Sequence, residues 1–268
     1  MKTDADLNNN WRKVASTIYK KPSDSKIFGW VEIDVTELEE FITRKRQQGL
    51  KITMTHIITL AVARAFKQDV KELNAYVRRG KIVSRNSVDA VVSVLINGEQ
   101  MSSVKVENAD QLTLQEIADN ISVKIKQSRK GNENKEMKSK EFLSSLPWPI
   151  RTWFFHLYRM ITINLGLSIP FLNLNANSFG SFVISNIGTL GLDMGIPALL
   201  PSSNVSLVLM QGGIFKKPVV VNDRIVPRRI LSLGAALDHR IVDASQGGRL
   251  FRFIKQIVKN PEILETKP

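Results

Sequence analysis

The chain has 268 residues, 43% of them hydrophobic, which is enough for one large α/β domain with a sizeable core. It has no cysteine, and this excludes thiol nucleophiles, disulfides, thiolate metal sites and iron–sulfur clusters. The net charge of +13 indicates a solvated basic surface. Because no nucleic-acid-binding module or set of interleaved aromatic residues accompanies that charge, nucleic acid is not expected as a partner.

The N-terminal half of the chain predicts helices alternating with short strands. Residues 6–17 indicate a short helix, 20–25 a turn and 27–35 a strand, and no apolar signal core precedes them, so a cytoplasmic protein is predicted. Thr36 is expected to cap the following helix, with Glu39 completing a capping box. The later elements follow from apolar periodicity: a helical stripe at 58–66, strands at 82–83 and 88–96, and a helix at 115–130.

The C-terminal half predicts the remaining strands and a final amphipathic helix. The strands are expected at 179–184, 205–210, 219–221 and 230–233. The final helix should bury one face, which carries Leu250, Ile254, Ile257 and Val258. The glycines at 188 and 191 indicate a turn, since the chain has no phosphate-binding loop pattern.

A basic run at about 124–140 separates the two halves. It holds seven basic residues against two acids. A mobile, solvated loop is the default interpretation, and a docking surface for an anionic partner is the alternative.

The clearest candidate for catalysis lies in the stretch DHRIVD, residues 238–243. His239 is the candidate general base, because imidazole can take and return a proton near neutral pH. The alternative is a hydrogen-bonded histidine at a strand–helix junction. Asp243 stands where a helix N-cap belongs, with Gln246 placed for a capping box. His56 and His156 lie in apolar surroundings and are expected to be structural, and no spacing of histidines and acids suits a metal.

Several motifs around these residues occur together in one known family. Residues 217–221 (KPVVV), 225–227 (IVP) and 231–233 (LSL) lead into 238–240 (DHR). Four further matches follow in the same order: 31–36 (VEIDVT), 73–75 (LNA) with 81–83 (KIV), 108–110 (NAD) and 185–188 (SNIG). The chain thus resembles, from about residue 11 to 263, the acyltransferase subunits of 2-oxo-acid dehydrogenase complexes, which share their fold with chloramphenicol acetyltransferase.

The resemblance implies a fold and a site. The fold would be an α/β two-layer sandwich in which a mixed sheet carries helices on one face, with residues 1–268 forming a single catalytic domain that assembles as a homotrimer. The site would lie between subunits, with His239 from one chain and Ser185 from its neighbour. In that family the serine hydroxyl binds the oxyanion of the tetrahedral intermediate, and Asp243 would maintain the architecture around His239.

The resemblance also implies the reaction. His239 would deprotonate a small acceptor, which then attacks a thioester, with acyl-CoA as co-substrate and without a metal or a covalently bound lipoyl group. A positive rim would attract such an anionic donor. Two alternatives remain open: service to a lipoyl or acyl-carrier domain on another chain, and a catalytically degenerate trimeric scaffold. Whether subunits of a dehydrogenase complex are partners is left open too.

The chain departs from the family pattern at four points. Lipoyl and peripheral-subunit-binding domains are not expected in it, Ala244 replaces a glycine, and Ser25-Lys26 replaces a Pro-His pair. The fourth departure is an aromatic insert at about 143–178. A lid or wall around an apolar acceptor pocket beside the Ser185 strand is the main interpretation, with core or trimer packing and contact with a membrane surface as alternatives. A spanning helix is not expected, because polar residues interrupt the segment.

Overall fold

A computed structural model describes residues 25–96, 100–129, 147, 149–169, 179–199 and 203–268. The strands are β1 (Lys26–Asp34), β2 (Ala75–Arg78), β3 (Lys81–Ser84), β4 (Ala90–Ile96), β5 (Gln100–Val106), β6 (Phe182–Asn186), β7 (Leu207–Val221) and β8 (Arg224–Asp238). The helices are α1 (Thr36–Gln47), α2 (Met54–Gln68), α3 (Leu114–Arg129), α4 (Ile150–Arg159) and α5 (Ala244–Lys259). The helix predicted at 6–17, almost all of the turn at 20–25 and most of the basic run at 124–140 lie outside the described residues.

Six strands form one mixed sheet in the order β1-β8-β7-β6-β4-β5, while β2 and β3 form a separate hairpin. β6 runs parallel to β4 and to β7, and the other neighbours are antiparallel. The long strands β7 and β8 are joined by Asn222 and Asp223, both with positive φ. Asparagine and aspartate tolerate this backbone, which a type I′ hairpin turn requires.

The helices cover one face of this sheet. Leu233, Ala235 and Leu237 of β8 point into the core against the helices, while the residues between them point to the other face. α2 is buried on nearly all sides, which its continuous apolar sequence permits. The predicted fold class, a mixed sheet with helices on one face, is therefore confirmed.

Two strand predictions were wrong in extent. The segments predicted at 205–210 and 219–221 belong to one strand, β7, interrupted by an irregularity between Gln211 and Ile214. From Lys216 and Arg229 outward, β7 and β8 form a two-stranded ribbon with no further neighbouring strand among the described residues, and Pro218 faces Pro227 in it. Prolines suggest strand ends, but they are accepted here because one edge of each ribbon strand needs no donor.

The predicted cap of α1 was wrong. Thr36 is the first residue of the helix, and its backbone amide and hydroxyl both donate to Asp34 Oδ1, at 3.0 and 2.6 Å. The Thr36 hydroxyl in turn accepts a hydrogen bond from the Arg229 amide, and Glu39 pairs with the Arg229 guanidinium at 2.7 Å. Residues that suggested a local capping box are used instead to attach the helix to β8.

Among the described residues, no helix combines the length and the apolar character needed to cross a membrane.

Candidate active site

His239 lies directly after β8, in a loop that is held by backbone and side-chain bonds. Its amide donates to the Ser25 carbonyl at 2.7 Å. The preceding residue, Asp238, is buried and binds the Arg240 guanidinium through both carboxylate oxygens, at 2.9 and 2.6 Å. Such a bidentate pair has a defined geometry. The two residues that flank His239 therefore fix the conformation of the loop, and the imidazole takes no part in their ion pair.

The imidazole has a defined orientation and proton position. Nδ1 lies 2.9 Å from the Val242 carbonyl oxygen and 3.2 Å from Asp243 Oδ1. Both neighbours can only accept a hydrogen bond when Asp243 is ionised, so Nδ1 carries the proton. Nε2 then has a free lone pair, and the side chain is 48% exposed. This arrangement suits a general base that takes a proton from a bound molecule.

Asp243 has a structural role that the sequence predicted. It is the N-cap of α5, and the capping box with Gln246 is present, with the Asp243 amide donating to Gln246 Oε1 at 3.0 Å. The prediction of the capping box is confirmed. The same carboxylate contacts His239 Nδ1, so the start of α5 and the orientation of the imidazole depend on one side chain.

Ser185 lies on the sheet face opposite to the helices. It pairs with Met210 of β7. Met210 pairs in turn with Gly234 of β8, and Gly234 pairs with Trp30 of β1. Side chains of directly paired residues point to the same face. The chain after Ser185 turns at Gly188–Leu190, as predicted for this glycine-containing segment, and then crosses this row of residues. A side chain at Gly234 would collide with the backbone of Gly195 in that segment.

The structure does not bring Ser185 and His239 together within one chain. Ser185 is level with Gly234, and His239 lies five positions further along β8 and two strands away. At about 3.3 Å per residue and about 4.8 Å between strands, their backbones are on the order of 20 Å apart. His239 and Asp243 are in contact with each other, and Ser185 lies toward the other end of the sheet.

Sequence reasoning missed a chain of hydrogen bonds beside Ser185. Asn186 Nδ2 donates to Thr55 Oγ1 at 3.1 Å, and Thr55 Oγ1 donates to Gln211 Oε1 at 3.2 Å. The chain joins the end of β6 to the start of α2 and to β7. No local pattern predicts it, because its three members are far apart in the sequence.

The other two histidines differ from each other. His56 is buried in α2, as a structural role requires, and its Nδ1 has no hydrogen-bond partner. Burial and, to a smaller extent, the positive charge of Arg46 lower its pKa to about 4. The negative charge of Asp119 acts in the opposite direction. His156 is exposed on α4, so the predicted packing of this residue was wrong: α4 has no buried residue.

The low pKa of His56 predicts a loss of stability in acid. Between pH 6.5 and about 4 the unfolded chain protonates this imidazole and the folded chain does not, so the free energy of unfolding falls as the pH falls. The full effect is on the order of 3 kcal/mol. Urea unfolding of the wild type and of His56→Leu at pH 7, 6, 5 and 4 should show a steeper decline in the wild type. Equal slopes would contradict this assignment.

The aromatic insert lies at the His239 end of the sheet. A π-helical turn, Met160–Asn164, follows α4 and contacts the β2–β3 hairpin, where Arg78 Nε donates to the Leu165 carbonyl at 2.9 Å. Asn204, at the start of β7, reaches the Ile163 carbonyl at 3.5 Å. The described part of the insert therefore lies on the side of His239 and away from Ser185. Ser185 lies near the end of β6, whereas Asn204 precedes β7 at the opposite end of the sheet.

Within the described residues, no cluster of three histidine or acidic side chains could hold a metal ion.

Comparisons with known proteins agree with this fold. The family described as 2-oxoacid dehydrogenases acyltransferase (catalytic domain) matches residues 6–144 and 172–265, and the interruption falls within the insert. The dihydrolipoyllysine-residue acetyltransferase component of the pyruvate dehydrogenase complex of Rickettsia bellii is 25% identical over 264 residues, which cover 96% of the chain and 53% of that protein. The chain thus spans about half the length of this relative.

Two solved structures share the fold at low identity. A dihydrolipoamide acetyltransferase of Azotobacter vinelandii, studied for the role of a serine, a histidine and an asparagine in its catalytic mechanism, is 16% identical with a TM-score of 0.66, and the match covers 89% of this chain and 83% of that one. Chloramphenicol acetyltransferase is 11% identical with a TM-score of 0.51, and the match covers 96% and 100%. The predicted similarity to both is confirmed.

With the family match over most of its length and the shared sheet, the chain belongs to the 2-oxoacid dehydrogenase acyltransferase family, as a catalytic domain of this acyltransferase type.

Proposed function

We propose that the protein transfers an acyl group from a thioester to an acceptor, with His239 as general base. The observation that carries this proposal is the pair of acceptors at His239 Nδ1, the Val242 carbonyl and the Asp243 carboxylate. They keep the proton on Nδ1 and leave Nε2 able to take a proton from a bound molecule. Among the described histidines, only His239 combines such an orientation with solvent access.

The reaction then proceeds by direct attack. Nε2 takes the acceptor's proton as the acceptor's sulfur or oxygen attacks the thioester carbonyl carbon. Negative charge moves to the carbonyl oxygen, where the Ser185 hydroxyl donates a hydrogen bond, a contribution of about 3 kcal/mol for one preorganised donor. The carbon–sulfur bond breaks, and the leaving thiolate takes the proton from the imidazolium. His239 returns to its neutral form without an acyl-enzyme.

This mechanism requires a second copy of the chain. His239 and Ser185 are on the order of 20 Å apart in one chain, which is too far for both to contact one carbonyl group. Trp30, in register with Ser185, is 60% exposed, and Phe28 on the same face is 54% exposed. Large apolar residues exposed on one face are typical of an interface. We infer a cyclic homotrimer in which Ser185 of one copy completes the site around His239 of another.

The Azotobacter vinelandii enzyme supports the assignment of the residues. Its histidine and asparagine are four positions apart, as are His239 and Asp243, and its serine precedes the histidine by a similar length of chain. An asparagine amide oxygen can accept a hydrogen bond from Nδ1, as a carboxylate does. Asp243 is therefore a positioning residue, and its acceptor oxygen matters more than its charge.

The acceptor that fits best is a dihydrolipoyl thiol, with coenzyme A as the other thiol. The support is the name of the Rickettsia bellii relative, which is a dihydrolipoyllysine-residue acetyltransferase. A small apolar acceptor is the second candidate, because the aromatic insert lies at the His239 end of the sheet. The trio Ser185, His239 and Asp243 supports an enzyme over a degenerate scaffold. A dihydrolipoyl acceptor would make dehydrogenase subunits the expected partners, and a small apolar acceptor would not.

The test is a transfer assay with acetyl-CoA or succinyl-CoA as donor, in which released coenzyme A and the acylated acceptor are separated by chromatography. Dihydrolipoamide should become S-acylated. Acylation of a medium-chain alcohol or amine, without reaction of dihydrolipoamide, would establish the second candidate. Absence of transfer to every acceptor from a folded, oligomeric protein would contradict an acyltransferase.

A further inference from the structure

An apolar stripe on α4 faces solvent. Ile150, Trp153, Leu157 and Met160 are three or four positions apart, so they share one face of the helix. Ile150, Trp153 and Met160 are exposed, Trp153 to 66%, and Leu157 is half-buried. Such a stripe normally points into the core and the polar residues point outward. Here the side of the helix with the best apolar spacing is the side that the described part of the chain leaves uncovered.

The described part of the insert and the hairpin that it contacts carry basic side chains. The insert carries Arg151 and Arg159, and residues 149–169 include no acid. The insert contacts the β2–β3 hairpin, where the Arg79 backbone amide donates to the Asn164 carbonyl, and residues 75–84 of that hairpin hold three basic residues and no acid. Exposed Ile82 adds an apolar side chain to the same hairpin. Apolar and basic side chains thus occur together on two joined elements from which acids are absent.

Two features favour an anionic lipid surface over a second copy of the chain. A second copy that docked through the same surface would bring no acid to it, so on a protein of net charge +13 such a contact would place like charges together. α4 is also outside the part of the chain that matches the family, so the common fold does not require this helix for assembly. An amphipathic helix with tryptophan on one face and arginine beside it is typical of segments that lie in the headgroup region of a membrane.

We propose that α4 and the β2–β3 hairpin form a docking surface for anionic membranes. The apolar stripe enters the boundary between headgroups and acyl chains, and Arg151, with the basic residues of the hairpin, binds the phosphates. The helix lies in the plane of the surface, since it is too short to span the bilayer. This role does not depend on acyl transfer, and it would place the His239 end of the sheet near the lipid.

Vesicle co-sedimentation with the full chain tests the proposal. Vesicles of equal parts phosphatidylcholine and phosphatidylglycerol should bind the protein, vesicles of phosphatidylcholine alone should bind it at least about tenfold more weakly, and high salt should reduce the binding. Trp153→Ala and Arg151→Glu should each weaken binding about tenfold. Arg252→Glu makes the same charge change on the exposed side of α5 and should leave binding nearly unaltered.

The outcomes are distinct from those of the catalytic proposal. Each variant should keep its oligomeric state in light scattering and its secondary structure by circular dichroism. Equal binding to both kinds of vesicle, no binding to either, or equal effects of Arg151→Glu and Arg252→Glu would overturn the docking surface. A smaller assembly on Trp153→Ala would show instead that a second copy covers the stripe.

Discussion

Replacing His239 by alanine should lower acyl transfer by at least about 1000-fold while leaving the fold intact. The substitution removes the Nε2 lone pair that accepts the proton, and no other described histidine is placed to replace it. The stability should change little, because the imidazole is half exposed and its hydrogen bonds lie in a surface loop. Coenzyme A release under saturating donor measures the turnover, and thermal unfolding measures the stability.

His156→Ala is the matched control for that experiment. His156 is also an exposed histidine, but it lies on α4 and contacts neither Asp243 nor the loop after β8. The control should keep near wild-type turnover with soluble substrates. Retained turnover in a folded His239→Ala protein would remove the catalytic assignment, whereas a large loss in both variants would indicate a general effect on the fold.

Local patterns predicted the structure around His239 well. The stretch 238–243 ends a strand and begins a helix, and the capping box between Asp243 and Gln246 needs only residues three positions apart. The stripe of the final helix also follows from spacing alone, and its predicted members are all buried. Such features are accessible from sequence because their partners lie within one or two helical turns.

The surroundings of Ser185 could not be predicted in the same way, because they depend on contacts between distant parts of the chain. The separation of Ser185 from His239 follows from the register of three strands, which apolar alternation does not reveal. The hydrogen bonds from Asn186 through Thr55 to Gln211 link residues more than a hundred positions apart. The orientation of α4 was missed because its spacing indicates an amphipathic helix but does not say what covers the apolar side.

The insert shows the same limit. Its position in the sequence, before β6, suggested a wall around an acceptor pocket, and its hydrogen bonds place the turn after α4 at Arg78 and Asn204. Proximity in sequence to a strand does not say which end of that strand a segment reaches. The structure therefore separates the insert from the serine and places it on the side of the histidine.

Ser185→Ala should lower kcat about 100-fold with little change in KM for the acyl donor. A hydrogen bond donated to the oxyanion acts mainly in the transition state, so its loss affects kcat. The loss should be similar for acetyl-CoA and succinyl-CoA, because the serine contacts the carbonyl oxygen common to both. A rise in KM with an unaltered kcat would mean that Ser185 binds substrate and does not stabilise an intermediate.

The most direct test of a site shared between copies is to mix the two inactive variants. Equal amounts of His239→Ala and Ser185→Ala are unfolded together, reassembled, and assayed for coenzyme A release. In a cyclic assembly each interface pairs an intact His239 with an intact Ser185 at random, so about a quarter of the wild-type activity should return. Activity that stays at the level of the separate variants, in a mixture that reassembles to the wild-type size, would contradict the shared site.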